Sequence, residues 1–333
     1  MVMRSRRRRD SAQKQLLDAG ASDAGLAAIQ PFDERTIRQL QRLTFASGDP
    51  TSHGLSGEHR SRRRGQSPEF TDYKSYTHGD DFRRIDWNSY ARLDQLFIRE
   101  SEVPTEHDVH LFIDDSTSMN WSSDRAIPTK FQAAQRIVSM LGYVAIWHFD
   151  RLSIQRLAAD PRGEFGPVQG RSNTLGMFRF CNLMTPNAGE RTVSQAESIA
   201  RYLQRRKRPG RLILVSDFHW AEMETLRELM IRAATRRWQT TLILVEDPDE
   251  VDPSGMFADS SHLELEAIAD RDRMHVSGSR VSVGTYLDAR TTWREQLEQL
   301  ANLPGVTFTA LRTNDPNPMK PMSNLIDVDV IRR

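Results

Sequence analysis

Three short apolar runs constrain this chain more than anything else in it: "VHLFID" from Val109, "RLILVSD" from Arg211 and "TTLILVED" from Thr240. Each is nearly apolar at every position rather than at alternate ones, which is the pattern of a strand buried on both faces. Each ends in acid-containing residues. Between them lie stretches of helical length and spacing: Lys130 to Phe149, "TLGMFRFCNLM", "SQAESIARYLQRR" and the amphipathic "ETLRELMIRAATRRW". Strands alternating with helices predict an α/β fold, a doubly wound and mainly parallel sheet covered on both faces. "RLSIQRLA" reads as a further strand, paired with one near Phe165 across "ADPRGE", and "VTFTAL" as the last strand. Met274 to Tyr286 reads as an added hairpin and Thr292 to Leu303 as a helix. In such sheets ligands bind outside the carboxyl ends of strands, so the polar residues that close these runs are the first candidates for function.

Upstream of Val109 the pattern is different. Residues 1–32 form a basic, small-residue-rich leader, with five arginines in "MVMRSRRRRD". Residues 33–105 form a separate, β-rich subdomain that begins with a short helix capped by Asp33. Residues 106–313 hold the α/β domain, and 314–333 are a tail. The arginine run is followed by the polar "SAQKQLLDAGASDAG", unlike a signal peptide. No stretch approaches the length of a membrane span. Cys181 is the sole cysteine, so an internal disulfide and a multi-cysteine metal site are excluded, and a reducing cytoplasm is the expected location. Basic and acidic residues number 46 and 45, so net charge points to no partner. The first arginine run lacks an aromatic platform, and solvated arginine tails are the plainer reading, which makes nucleic acid a poor candidate partner.

The first strand ends in "FIDDSTSMNW". Asp114, Ser116 and Ser118 recur at every second position, and past the strand the chain must bend, so the three side chains can converge. A carboxylate with two hydroxyls is an all-oxygen set, suited to Mg²⁺, Mn²⁺ or Ca²⁺ rather than zinc. Asp115 is adjacent to Asp114 and points to the opposite side, which opposes a phosphatase nucleophile pair. The plain alternative is that Asp114 or Ser116 caps the following turn.

This D-x-S-x-S pattern resembles the metal-ion-dependent adhesion site of von Willebrand factor A domains. The resemblance covers about Val109 to Leu311. It implies a second aspartate after a central strand, for which Asp217 is the match, and a hydroxyl from a later loop. Thr192 is the candidate hydroxyl, with Thr185 and Ser194 as alternatives.

The segment "SGEHRSRRRGQSPEFTDYKSYTHGDDFRRIDWNSYARLDQLFIRES" narrows the resemblance to the family of unknown function number 58 (DUF58). The matching residues are Gly57, His59, Ser61, Glu69, Phe70, Tyr76, Gly79, Asp80, Arg84, Ile85, Asp86, Trp87, Ala91, Arg92, Leu96, Arg99 and Glu100. Lys74-Ser75 and His78 depart from the family pattern, away from the metal set. Trp87 and Ile85 are expected to bury one face of a strand, with Trp87 as an anchor. The resemblance implies a partner, a MoxR-type AAA+ ATPase, and a non-enzymatic role in chaperone-like maturation or remodelling of proteins. Met119 and Trp121 are expected to rim the interface. The alternatives are a metal-dependent hydrolase using Asp114 and Asp217, and an arginine-mediated nucleic-acid-binding protein.

Overall fold

A computed structural model describes residues 32–46, 69–76, 85–93, 95–102, 107–157, 163–186, 194–206, 208–220, 222–253, 262–266, 273–277 and 280–333. Their strands, in chain order, are β1 (Thr44–Phe45), β2 (Glu69–Ser75), β3 (Phe97–Glu102), β4 (Asp108–Ile113), β5 (Arg151–Arg156), β6 (Glu164–Val168), β7 (Arg211–Ser216), β8 (Gln239–Glu246), β9 (His262–Glu266), β10 (Arg273–Ser277), β11 (Val306–Arg312) and β12 (Ile331–Arg332). Six of them form one sheet in the order β11-β8-β7-β4-β5-β6. All neighbours in it are parallel except β6, which returns antiparallel beside β5. The α/β, doubly wound fold expected from the sequence is the fold observed.

The sheet is buried on both faces because its central strands carry apolar side chains at both parities. Val109, Leu111, Ile113, Ile213, Val215, Ile243 and Val245 face one core, against the helices Lys130–Trp147 and Thr174–Leu183. Phe112, Leu212, Leu214, Leu242 and Leu244 face the other, against Gln195–Arg205 and Met223–Thr235. Alternate residues of a strand point to opposite faces, so a run with no polar parity must be covered twice. The long helix starts at a capping box formed by Thr129 and Gln132. Gly210 lets β7 enter beside β4, since a Cβ there would lie 2.3 Å from the Asp108 carbonyl oxygen.

Chain order reverses between β4 and β7. From β4 the chain runs outward to β5 and β6, then returns to build β7, β8 and β11 on the other side. That reversal leaves a crevice at the carboxyl ends of β4 and β7, the place where open α/β sheets bind ligands.

The chain divides into two compact units. The large one takes in the described residues up to 46 and those from 107 onward. Its extent differs from the boundaries expected at 33 and 314. Leu40, Leu43 and Phe45 join the same core as Met322, Leu325 and Ile331, and β1 pairs antiparallel with β12. Apolar residues at both ends of the sequence thus close one core.

The small unit holds β2 paired antiparallel with β3, and the helix Trp87–Leu93. Here a strand was expected at Ile85–Trp87, with Trp87 buried. Instead Asp86 accepts a hydrogen bond from the Ser89 hydroxyl at 3.1 Å and the chain winds into a helix. Trp87 then pairs edge-on with Tyr90, three residues along, and is 62% exposed. Gly57, His59, Ser61, Gly79, Asp80 and Arg84 lie outside the described residues. A hairpin does occur in the late insertion, but as β9 and β10, and Arg280–Gln299 is a helix where a strand and a later helix start were expected.

Candidate functional site

The crevice collects the side chains that the sequence singled out at the ends of β4 and β7. After Ile113, Asp114 continues the ladder by donating its N–H to the Val215 carbonyl at 2.9 Å. Its side chain is fully buried. Oδ1 accepts from the Ser116 N–H at 2.9 Å, and Oδ2 accepts from the Ser216 hydroxyl at 2.6 Å. The Ser116 and Ser118 hydroxyl oxygens lie 2.9 Å apart. Ser118 also faces Asp217, and the Asp217 charge is close enough to act on Asp114. Asp114, Ser116, Ser118 and Asp217 therefore form one continuous cluster.

Burial pushes the Asp114 carboxyl up to about 6, helped by the neighbouring Asp217 charge and opposed by the Ser216 and Ser116 hydrogen bonds. For Asp217 burial acts in the same direction, but the Lys130 ammonium overrides it and holds the group below the usual carboxylate range. The two carboxylates of one crevice are thus pushed apart by their surroundings.

Asp115 faces away from this cluster, as the period of two requires. It is buried and pairs with Arg156, whose Nη2 lies 2.8 Å from Asp115 Oδ2. The same guanidinium donates to the Thr185 carbonyl oxygen at 2.6 Å. Thr192 lies outside the described residues. Ser194 caps the helix Gln195–Arg205, accepting from the Glu197 N–H at 3.2 Å, and Thr185 is exposed. Met119 does not rim the crevice: it is fully buried in the core, while Trp121 is half-buried.

Sequence reasoning did not find several of the groups that shape the site. Lys130 is 1% exposed, and its Nζ donates to Asp217 Oδ2 at 2.9 Å and to Glu250 Oε1 at 2.5 Å. A signal for it exists: a lysine opening a helix sits at the positive end of the dipole, where a cation is not stabilised without a partner. Ser216 uses its hydroxyl three ways, donating to Asp114 and accepting from the Phe218 N–H at 2.8 Å and from Trp220 Nε1 at 2.9 Å. Phe218 adopts φ 53°, the left-handed region, which turns the chain sharply after Asp217 and sends the Phe218 ring into the second core. His219 stacks on Trp293 with ring centroids 5.1 Å apart. Both line a cleft of about 170 Å³ beside the cluster, with Asp217, Glu246, Glu250 and Tyr286.

No set of three or more His, Cys, Asp or Glu side chains among the described residues is placed to hold a metal ion. A cation here would rest on Asp114, Asp217 and hydroxyl oxygens. That converged all-oxygen set has the chemistry of a site for a hard divalent ion. Lys130 already supplies one positive charge to it.

The model of the family described as "Protein of unknown function DUF58" matches residues 72–256, more than half of the 333-residue chain. No curated protein matches. Among solved structures, an uncharacterized membrane spanning protein from Vibrio fischeri is similar at 14% identity. The match covers 67% of this chain and 98% of that one, with a TM-score of 0.20, too loose a superposition to bear on the fold. Among the described residues of this chain, no helix is long and apolar enough to cross a membrane.

Proposed function

This chain belongs to the DUF58 family, and we propose that it is a non-enzymatic, metal-dependent protein-interaction module of the cytoplasm. Its site is of the von Willebrand factor A type, and its partner is a MoxR-type AAA+ ATPase, or the client such an ATPase matures or remodels. The observation that carries this reading is the convergence of Asp114, Ser116, Ser118 and Asp217 at the point where the strand order reverses. Mg²⁺, or Mn²⁺ or Ca²⁺, held there keeps coordination positions for a carboxylate from another protein. The chain's own residues orient the set: Ser216 fixes Asp114, and Lys130 holds Asp217. The MoxR assignment rests on the family resemblance of residues 57–100 and the D-x-S-x-S loop.

The test is a titration of the purified protein against its candidate ATPase, with chelator and salt varied independently. A contact through a central, water-excluded metal is abolished by chelator and only slightly weakened by moderate salt. Binding that ignores both the chelator and Asp114→Ala removes the metal from the interface. Turnover of a phosphate ester that disappears in Asp114→Ala or Asp217→Ala makes the protein a hydrolase instead.

A further inference from the structure

Lys130 is a cation built into the place where the proposed function needs another one. Its ammonium is nearly inaccessible and bridges two carboxylates, Asp217 at 2.9 Å and Glu250 at 2.5 Å. Asp217 belongs to the candidate metal cluster. Glu250 does not: it stands on the helical turn Pro248–Val251 that follows β8. Glu250 is held in place from its other oxygen, since Oε2 accepts the Asp247 N–H at 3.1 Å. The backbone under Lys130 is fixed too, by the Thr129–Gln132 capping box and by the bond from the Lys130 N–H to the Trp121 carbonyl at 3.1 Å. Between these two fixed carboxylates the ammonium rides on a flexible four-carbon stem.

We propose that Lys130 is a tethered counter-ion that competes with the divalent cation for Asp217, so that cation binding shifts the ammonium onto Glu250. This rests on the metal-dependent reading above and supplies its regulation. In the metal-free protein the ammonium neutralises Asp217 and keeps a buried carboxylate from standing alone, which would be strongly unfavourable. A divalent ion on Asp114 and Asp217 meets that ammonium as a like charge in a site of low dielectric. Cation affinity is therefore lowered, and occupancy is coupled to the Asp247–Val251 turn and to the cleft that Asp217 and Glu250 both line. Glu250 decides the size of the penalty, because it is where the ammonium remains paired.

The two carboxylate contacts make opposite predictions for two substitutions. Lys130→Met removes the competing charge at similar side-chain volume and should tighten Mg²⁺ or Mn²⁺ binding by about tenfold or more. Glu250→Gln leaves the displaced ammonium without a charged partner and should weaken binding. Calorimetric titration of the full chain with MgCl₂ and MnCl₂, for wild type, Lys130→Met, Glu250→Gln and Asp114→Ala, reads both. Tighter binding in the first variant and weaker in the second supports the proposal. If Asp114→Ala loses the ion while the Lys130 and Glu250 variants match wild type, Lys130 is a structural pair only and the metal reading survives. If no form binds either ion, the metal reading and this proposal fail together. Should Lys130→Met not fold, unchanged or tighter binding by Glu250→Gln overturns the proposal by itself.

Discussion

The Lys130 ammonium lies 2.9 Å from the Asp217 carboxylate, and both side chains are 1% exposed. This pair joins the first turn of the long helix to the end of β7 across the mouth of the crevice. A buried pair of this kind adds little net stability against an apolar substitute of equal shape, since desolvation offsets the attraction. Its value lies in what breaks when one partner leaves.

Lys130→Ala in the presence of chelator should therefore lower unfolding free energy by about 3–5 kcal/mol, because Asp217 would stay buried without its counter-charge. Urea unfolding followed by tryptophan fluorescence measures it. A loss under 1 kcal/mol would mean that water reaches this pair freely.

Ser216 should be the most sensitive hydroxyl in the site. Ser216→Ala removes the donor to Asp114 and strands the Phe218 N–H and Trp220 Nε1. Leaving buried donors without acceptors costs about 1–3 kcal/mol. Stability should fall by that amount and divalent-ion affinity should fall with it, since Asp114 loses its orientation. Unchanged affinity in a destabilised Ser216→Ala would separate Asp114 from the ion.

Two tryptophans should respond in opposite ways to truncation. Trp238 is buried in the second core beside His110. Trp238→Ala should cost about 3–5 kcal/mol. Trp87, exposed at the start of its helix, should tolerate Trp87→Ala within about 0.5 kcal/mol. Thermal or urea unfolding of the two variants side by side decides the matter, and equal losses would contradict the placement of Trp87.

Acid should destabilise the fold through His110. Its Nδ1 lies 2.7 Å from the Tyr202 hydroxyl, and burial, with the nearby Arg206 and Arg151 charges, lowers its pKa to about 3 from 6.5. The folded value lies below the unfolded one, so the unfolded chain takes up the proton first. The stability of the neutral, buried form is complete above about pH 6.5 and is lost as pH falls from there toward about 3, at up to about 1.4 kcal/mol per pH unit. Replacing His110 with Phe should flatten the stability profile in that window. An unchanged slope would assign the acid sensitivity elsewhere.

The α/β sheet was legible because its central strands are apolar at both parities and each is followed by a helix with an apolar face. Asp114 and Asp217 were legible because they close two of those strands. Lys130 and Glu250 were not, because they lie 120 residues apart and meet only when the turn after β8 folds over the long helix. The small unit misled at Trp87 because "RRIDWNSYARL" alternates well enough for a strand, while the Asp86–Ser89 contact that favours a helix is a single side-chain bond. The fusion of residues 32–46 and 314–333 with the large unit was hidden for a related reason: the short helix after Asp33 was legible, but the pairing of the two segments is settled by a shared core.

Asp114 is the residue on which the account turns, and Mn²⁺ binding followed by electron paramagnetic resonance tests it most directly. Wild-type protein should remove the free-ion signal stoichiometrically and gain about 2.7 kcal/mol of stability at a hundredfold excess over the dissociation constant. Asp114→Ala should leave the free-ion signal intact while remaining folded. Equal uptake of Mn²⁺ by wild type and Asp114→Ala would contradict the site.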